Sequence, residues 1–168
     1  MNAKKIALMA VLLALALIIF IIESYLPPIA PIPGIKLGLA NIITLLAIYM
    51  IGRKEAFIIL LLRIILASIF SGGMAGFLYS IAGGVVCFTV MGLSSLRLFE
   101  NRMWVVSVLG AIGHNTGQIA VACFVTGTVQ ILWYFPALII SAILTGAFTG
   151  ISAQVTLSRL RKTNILRK

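Results

Sequence analysis

Four hydrogen-bonding or charged side chains interrupt apolar segments of this chain that have the composition of membrane helices. Arg63 lies within AFIILLLRIILASIF, and His114, Asn115 and Gln118 lie within GHNTGQ. Lipid offers no hydrogen-bond partner, so each group needs one in the protein or in a ligand. Arg63 is on the order of 10 Å from either end of its predicted helix, too deep for easy snorkelling. The sequence predicts a ligand role for all four. The alternatives are a structural pair of Arg63 with Glu23 and an interhelical hydrogen-bond cluster for the other three.

The depths of these residues predict a common cavity. Counted from the predicted helix ends, Arg63 and His114 lie near the membrane midplane, with Asn115 and Gln118 slightly above it. Three further polar residues lie at the outer end, where a proline-rich segment, PPIAPIP, is predicted to cover the entrance: Glu23, Lys36 and Asn41. Two bases and three amides suit a small anionic or carbonyl-rich solute. Glu23 would bind a positive group or neutralise Lys36.

Composition places the whole chain in a membrane. The residues are 62% hydrophobic and 10% charged, and the mean hydropathy is +1.20, which lies outside the range of soluble domains. The net charge of +10 comes from bases at the ends of apolar runs, so topology explains it better than a nucleic-acid partner does. Cys87 and Cys123 lie in separate apolar runs and are predicted to be packing residues.

The acidic residues limit the possible chemistry. The chain has three Glu and no Asp, so a metal site built from paired carboxylates is nearly excluded. It also lacks a nucleotide-binding loop of the P-loop type. The sequence therefore predicts that the chain is not an enzyme and that it holds no metal and no cofactor.

Hydropathy predicts an all-α bundle of six membrane helices in a single domain, residues 1–168. The N-terminal apolar run is longer than the hydrophobic part of a signal peptide and is predicted to be a helix. Pro136 divides the last run, so its first residues are predicted to lie at the membrane interface. The six predicted helices are 6–23, 37–52, 56–70, 74–93, 103–126 and 130–157.

The positions of the bases test this helix count independently. With both termini in the cytoplasm, eleven of the thirteen bases fall on the cytoplasmic side, as the positive-inside rule expects. Lys36 is then the single base in the outer connections, and Arg63 lies within a helix. The sequence thus predicts a multi-pass protein of the cytoplasmic (cell) membrane.

Small residues recur at a spacing that lets helices approach closely. The ridges Gly72, Gly76, Ser80, Gly84 and Ala142, Gly146, Gly150 are predicted to pack inside the bundle. A third set lies on one face of the first helix and could serve either packing or a membrane partner: Ala3, Ala7, Ala10 and Ala14.

The segment IPGIKLGLANIITLLAIY, with GIKLGLAN at residues 34–41, resembles the heptaprenyl diphosphate synthase component I family, also called the Gx transporter family. The similarity covers nearly the whole chain. That family is similar in turn to the substrate-binding S components of energy-coupling factor transporters. Those are small six-helix membrane proteins in which a long outer connection lies over the ligand.

The resemblance implies two functions. In S components an AxxxA motif on the first helix meets a transmembrane coupling subunit, which works with ATPase subunits, and Ala10 to Ala14 matches that motif in position. The other family name implies an accessory role in polyprenyl diphosphate synthesis. A catalytic synthase needs aspartate-rich motifs that hold magnesium and diphosphate, so this chain would be a non-catalytic component. The intramembrane polar residues favour the solute-binding function.

Overall fold

The computed structural model describes residues 2–26, 36–71, 73–97 and 102–162. These residues form six α-helices and contain no strand, which confirms the predicted all-α class. A 3₁₀ helix, Val129–Tyr134, precedes the last α-helix. In chain order the helices are α1 (Ala3–Ser24), α2 (Asn41–Met50), α3 (Arg53–Ser71), α4 (Met74–Arg97), α5 (Met103–Thr126) and α6 (Phe135–Lys162).

The apolar helices make this a multi-pass membrane protein. Four segments are long and apolar enough to cross a bilayer, namely α1, α4, α5 and the 3₁₀ helix together with α6. The other two helices differ from these. At about 1.5 Å per residue, the 10 residues of α2 extend only about half the thickness of a bilayer core. Helix α3 carries four charged residues, among them Arg63.

Several helix boundaries differ from the sequence prediction, and two of them do so for identifiable reasons. Helix α2 begins at Asn41 rather than 37, because Gly38 has a φ of +78°, a left-handed conformation that ends helical geometry and favours glycine. Helix α6 begins at Phe135, so Pro136 occupies its first turn, where a missing N–H breaks no intrahelical hydrogen bond. The preceding 3₁₀ helix exposes most of Trp133.

Helix α5 packs closely against both α4 and α6. A Cβ atom at Gly117 would lie 2.7 Å from the Ala82 carbonyl oxygen of α4, and one at Gly150 would lie 2.5 Å from Trp104 Cα. Only glycine permits such approaches. Gly146 makes a similar contact, so the predicted packing of the α6 ridge is confirmed.

The predicted ridge on α4 packs only in part. Gly84 lies against side chains of α3, whereas a Cβ at Gly76 would have no neighbour within 4 Å. The packing interpretation was therefore right at Gly84 and wrong at Gly76. Gly72 lies outside the described residues.

Two contacts and one shared cleft fix which helix ends lie together. Lys5 at the start of α1 forms an ion pair with Glu55 in the first turn of α3. A cleft at the same end is lined by Glu55 and by Arg161 near the end of α6. At the other end of α1, Glu23 accepts a hydrogen bond from Gly38 N–H, just before α2. The start of α1 and the end of α6 therefore share one end of the bundle, and Glu23 lies at the opposite end.

Candidate functional site

The short segment before α2 organises the candidate site. Gly38 donates its N–H to Glu23 Oε1. A Cβ atom at Gly38 would lie 2.7 Å from Asn41 Nδ2 and 2.9 Å from His114 Cδ2. The residue thus combines a left-handed backbone with close contacts to three polar side chains from α1, α2 and α5. Any side chain larger than hydrogen at this position would disturb both features.

His114 lies between this segment and α4. Its Cδ2 edge is near Gly38, and a Cβ atom at Gly83 would lie 2.9 Å from His114 Cε1 and Nδ1. The same hypothetical atom would lie 2.9 Å from Gln118 Cγ. His114 and Gln118 are one helical turn apart and therefore share a face of α5. Both side chains are buried and contact α4 at Gly83.

Arg63 lies inside the bundle and does not face lipid. Its side chain is only 4% exposed, and it interacts electrostatically with Glu23, Cys87 and His114. Within the described residues, Arg63 has no carboxylate within 4 Å. It is therefore surrounded by α1, α4 and α5 without the close ion pair that would satisfy a buried guanidinium.

Lys36 joins this group from the segment before α2. Its Nζ lies 3.4 Å from the centroid of the Phe20 ring, an arrangement typical of a cation–π contact. Burial lowers the pKa of Lys36 from its ordinary value of 10.5, Glu23 opposes that shift, and Arg63 adds to it. The ammonium group is thus partly desolvated and close to both charges of the cluster.

The buried polar atoms that lack a hydrogen-bond partner are concentrated in the predicted ligand-binding residues. Ten such atoms occur in the described part of the chain, and nine belong to predicted site residues. Native proteins satisfy the great majority of their buried polar atoms, so such a concentration indicates a place for a polar ligand or water. The nine atoms are Lys36 Nζ, Asn41 Nδ2 and Oδ1, Arg63 Nε and Nη2, His114 Nδ1, Asn115 Oδ1, and Gln118 Nε2 and Oε1.

Asn115 differs from its neighbours in direction. Its Nδ2 donates a 2.8 Å hydrogen bond to the Leu138 carbonyl in the first turns of α6. The amide therefore holds α6 against α5, and only Oδ1 lacks a partner. Adjacent residues on a helix do not share a face, so His114 and Asn115 contact different helices.

The alanine face of α1 points away from the bundle. Ala3, Ala7, Ala10 and Ala14 are all exposed. The opposite face of this helix buries Met9, Leu12, Ala16 and Phe20. The exposed alanines are thus available to lipid or to another membrane protein, and among the described residues they do not belong to the buried core.

Sequence reasoning missed Gly38, Gly83 and Phe20 as parts of the site. Gly38 lies in the GIKLGLAN segment, whose two glycines in five residues were a usable signal. Nothing in the sequence near Gly83 indicated that it faces His114. The predicted lid, from Pro27 to Pro33, lies outside the described residues.

The helices and their buried polar cluster define an all-α, multi-pass membrane protein. The sequence profile of the heptaprenyl diphosphate synthase component I family matches residues 12–156. The chain belongs to this family, which confirms the resemblance seen from residues 34–41. No curated protein and no solved structure matches the chain.

Proposed function

We propose that the chain is a solute-binding subunit of a membrane transporter and that its solute is a small anionic or carbonyl-rich molecule. The observation that carries the proposal is the convergence of unpartnered, buried polar atoms from α2, α3, α5 and the segment before α2. Buried polar groups without partners cost free energy. A bound solute would supply those partners, whereas a purely structural cluster would be expected to satisfy itself.

The charge of the cluster favours an anion. Lys36 and Arg63 contribute two positive charges, against one negative charge from Glu23. The carboxylate already accepts a hydrogen bond from Gly38 N–H. An anion near Arg63 would balance the remaining positive charge and accept from its Nε and Nη2 atoms, which lack partners. The planar guanidinium suits the geometry of a carboxylate or a phosphate.

The exposed alanine face of α1 supports a membrane partner for this subunit. We infer that it contacts a transmembrane coupling subunit, which would act with ATPase subunits. Small side chains let helices in lipid approach closely, and Ala10 and Ala14 are both exposed. ATP hydrolysis would then belong to the partner, since this sequence has no P-loop motif.

The proposed location is the cytoplasmic membrane, with both termini in the cytoplasm. The shared position of the start of α1 and the end of α6 supports the placement of both on one side, and the distribution of bases supports the cytoplasm as that side. A cysteine at residue 54 should react with a membrane-impermeant reagent only in permeabilised cells. Labelling from outside intact cells would contradict this topology.

The test of solute binding is mass spectrometry of molecules that copurify with the protein. We expect a small anionic or carbonyl-rich molecule in the wild type and much less of it in Arg63→Leu. Arg102→Leu is the matched control, because Arg102 is an exposed base outside the cluster, and it should retain the molecule. Absence of any such molecule, or equal retention by both variants, would contradict the proposal.

The family description favours a second function, a non-catalytic membrane component in heptaprenyl diphosphate synthesis. The lack of Asp excludes an aspartate-rich catalytic site in this chain and is compatible with an accessory role. The discriminating assay measures prenyl transfer by a soluble, aspartate-rich synthase with and without this protein. A clear gain in prenyl transfer, with no retained solute, would favour the accessory function over solute binding.

A further inference from the structure

A second polar region lies at the other end of the bundle, where the ion pair between Lys5 and Glu55 is found. It is an open cleft of about 920 Å³ between the ends of α2, α4 and α6 and the starts of α3 and α5. Its basic lining comes from two helices, with Arg53 and Lys54 on α3 and Arg161 and Lys162 on α6. We define these four residues as the basic cleft.

The acidic side chain of the cleft is already paired with a base outside it. Glu55 is the acidic residue of the lining, and its Oε1 accepts a hydrogen bond from Lys5 Nζ. Lys5 lies on α1, outside the lining. The four bases therefore line a cavity whose carboxylate is paired with Lys5, and the excess positive charge there favours a bound anion.

Arg53 supplies a second, independent observation. Arg53 is the first residue of α3. Its Nε atom is nevertheless buried and has no hydrogen-bond partner among the described residues. The Arg53 side chain lies against α4, since a Cβ atom at Gly92 would be 3.8 Å from its Cδ. Arg53 thus differs from the other three bases of the cleft, which are exposed, because part of its guanidinium is held within the protein.

We propose that the basic cleft binds a phosphate or diphosphate group. Phosphate oxygens accept several hydrogen bonds at once, and arginine donates to them in a bidentate fork. The amide of Gln154 also lines the cleft and adds a neutral donor. The hydroxyl groups of Ser95 and Ser158 line it too, but they already donate to the carbonyls of Gly92 and Val155. The group would come either from a phospholipid head group or from a soluble phosphorylated compound. This proposal does not depend on the solute site, which lies at the opposite end of α1.

The experiment has one arm for each source. The full-length protein is placed in nanodiscs of phosphatidylcholine and titrated with inorganic pyrophosphate by calorimetry. In the second arm, native mass spectrometry measures the phosphatidylglycerol that the protein retains from mixed nanodiscs. Saturable binding in the first arm supports a soluble ligand, and selective retention in the second supports a lipid head group.

Matched variants distinguish specific binding in the cleft from nonspecific attraction to the basic surface. Arg53→Gln and Arg161→Gln each remove a cleft base. Lys4→Gln and Arg159→Gln remove exposed bases at the same end of the bundle that do not line the cleft. Loss of one charge-assisted contact should weaken binding by about tenfold or more. The control variants should weaken it by less than about threefold, as expected for screened surface charges.

Two results would overturn the proposal. One is the absence of both saturable pyrophosphate binding and selective lipid retention by the wild type. The other is equal weakening in the cleft and control variants, which would show a diffuse electrostatic attraction. If Arg53→Gln does not fold, Arg161→Gln still gives the comparison, because Arg161 is exposed at the end of α6.

Discussion

The stability of an Arg63→Leu variant distinguishes two roles for Arg63, because a ligand-binding residue and half of a structural ion pair predict opposite changes. Arg63 Nε and Nη2 are buried without hydrogen-bond partners. At about 1–3 kcal/mol for each unsatisfied group, the empty site carries a penalty of roughly 2–6 kcal/mol. Replacement by leucine removes that penalty and part of the favourable interaction with Glu23. Because Glu23 keeps its hydrogen bond from Gly38, we expect a net gain in stability.

The assay is thermal unfolding of the purified protein after its copurified solute has been removed. A gain of about 1 kcal/mol corresponds to a rise of about 2–4 °C in the unfolding midpoint for a protein of this size. Arg63→Leu should therefore melt at a higher temperature than the empty wild type. It should also show no shift when the solute identified by mass spectrometry is added.

Arg63→Lys is the companion variant, because it keeps the charge and loses the planar fork. We expect it to remain folded and to bind the solute more weakly than the wild type does. The reasoning is refuted if Arg63→Leu lowers the stability of the empty protein by about 3–5 kcal/mol. A loss of that size is typical of a broken buried ion pair and would make Arg63 a structural partner of Glu23.

Three further predictions concern other parts of the molecule. Gly83→Ala should abolish solute binding, because the new Cβ would lie 2.9 Å from the His114 ring. The control Gly76→Ala should bind normally, because a Cβ at Gly76 has no neighbour within 4 Å. Equal calorimetric affinities of the two variants would contradict this prediction. The double variant Ala10→Leu and Ala14→Leu should lose copurification with its membrane partner yet melt within a few degrees of the wild type, and a large drop in melting temperature would show that the face is internal packing. Burial holds the pKa of Lys36 in the folded protein below its ordinary value of 10.5. The empty protein should therefore gain stability as the pH rises through that lowered pKa toward 10.5. Solute affinity should fall over the same range, because Lys36 loses its charge. Lys36→Gln should remove both pH dependences, and their persistence would assign them to another group.

The main features of the fold could be predicted from composition, because apolar length and the positions of the bases reflect local chain properties. The described parts of the chain form six α-helices, as predicted. The start of α2 could not be placed, since a left-handed Gly38 is a property of one residue's backbone and hydropathy does not report it. The packing of Gly76 was also mispredicted, because small-residue spacing identifies a possible ridge but not the neighbour that it meets.

The burial of the candidate residues could be predicted, but their neighbours could not. Lipid cannot satisfy the polar groups of Arg63, His114 or Gln118, so an inward direction follows from chemistry alone. The contact of His114 with Gly38 and Gly83 joins residues that are distant in sequence and depends on how three elements pack. Asn115 was predicted to act together with His114 and Gln118, but adjacent residues on a helix do not share a face, and its Nδ2 donates instead to the Leu138 carbonyl of α6.

Lys36 is the base whose position topology explains least. The positive-inside rule accounts for bases at the cytoplasmic ends of helices and disfavours one in an outer connection. Packing alone does not favour it either, because burial of an ammonium group is costly. Yet Lys36 lies over Phe20, close to Glu23 and Arg63, with no hydrogen-bond partner for its Nζ. Glu23 can compensate one of the two bases, and the second positive charge remains. An anionic solute between them would account for both the position of Lys36 and the uncompensated charge of the cluster.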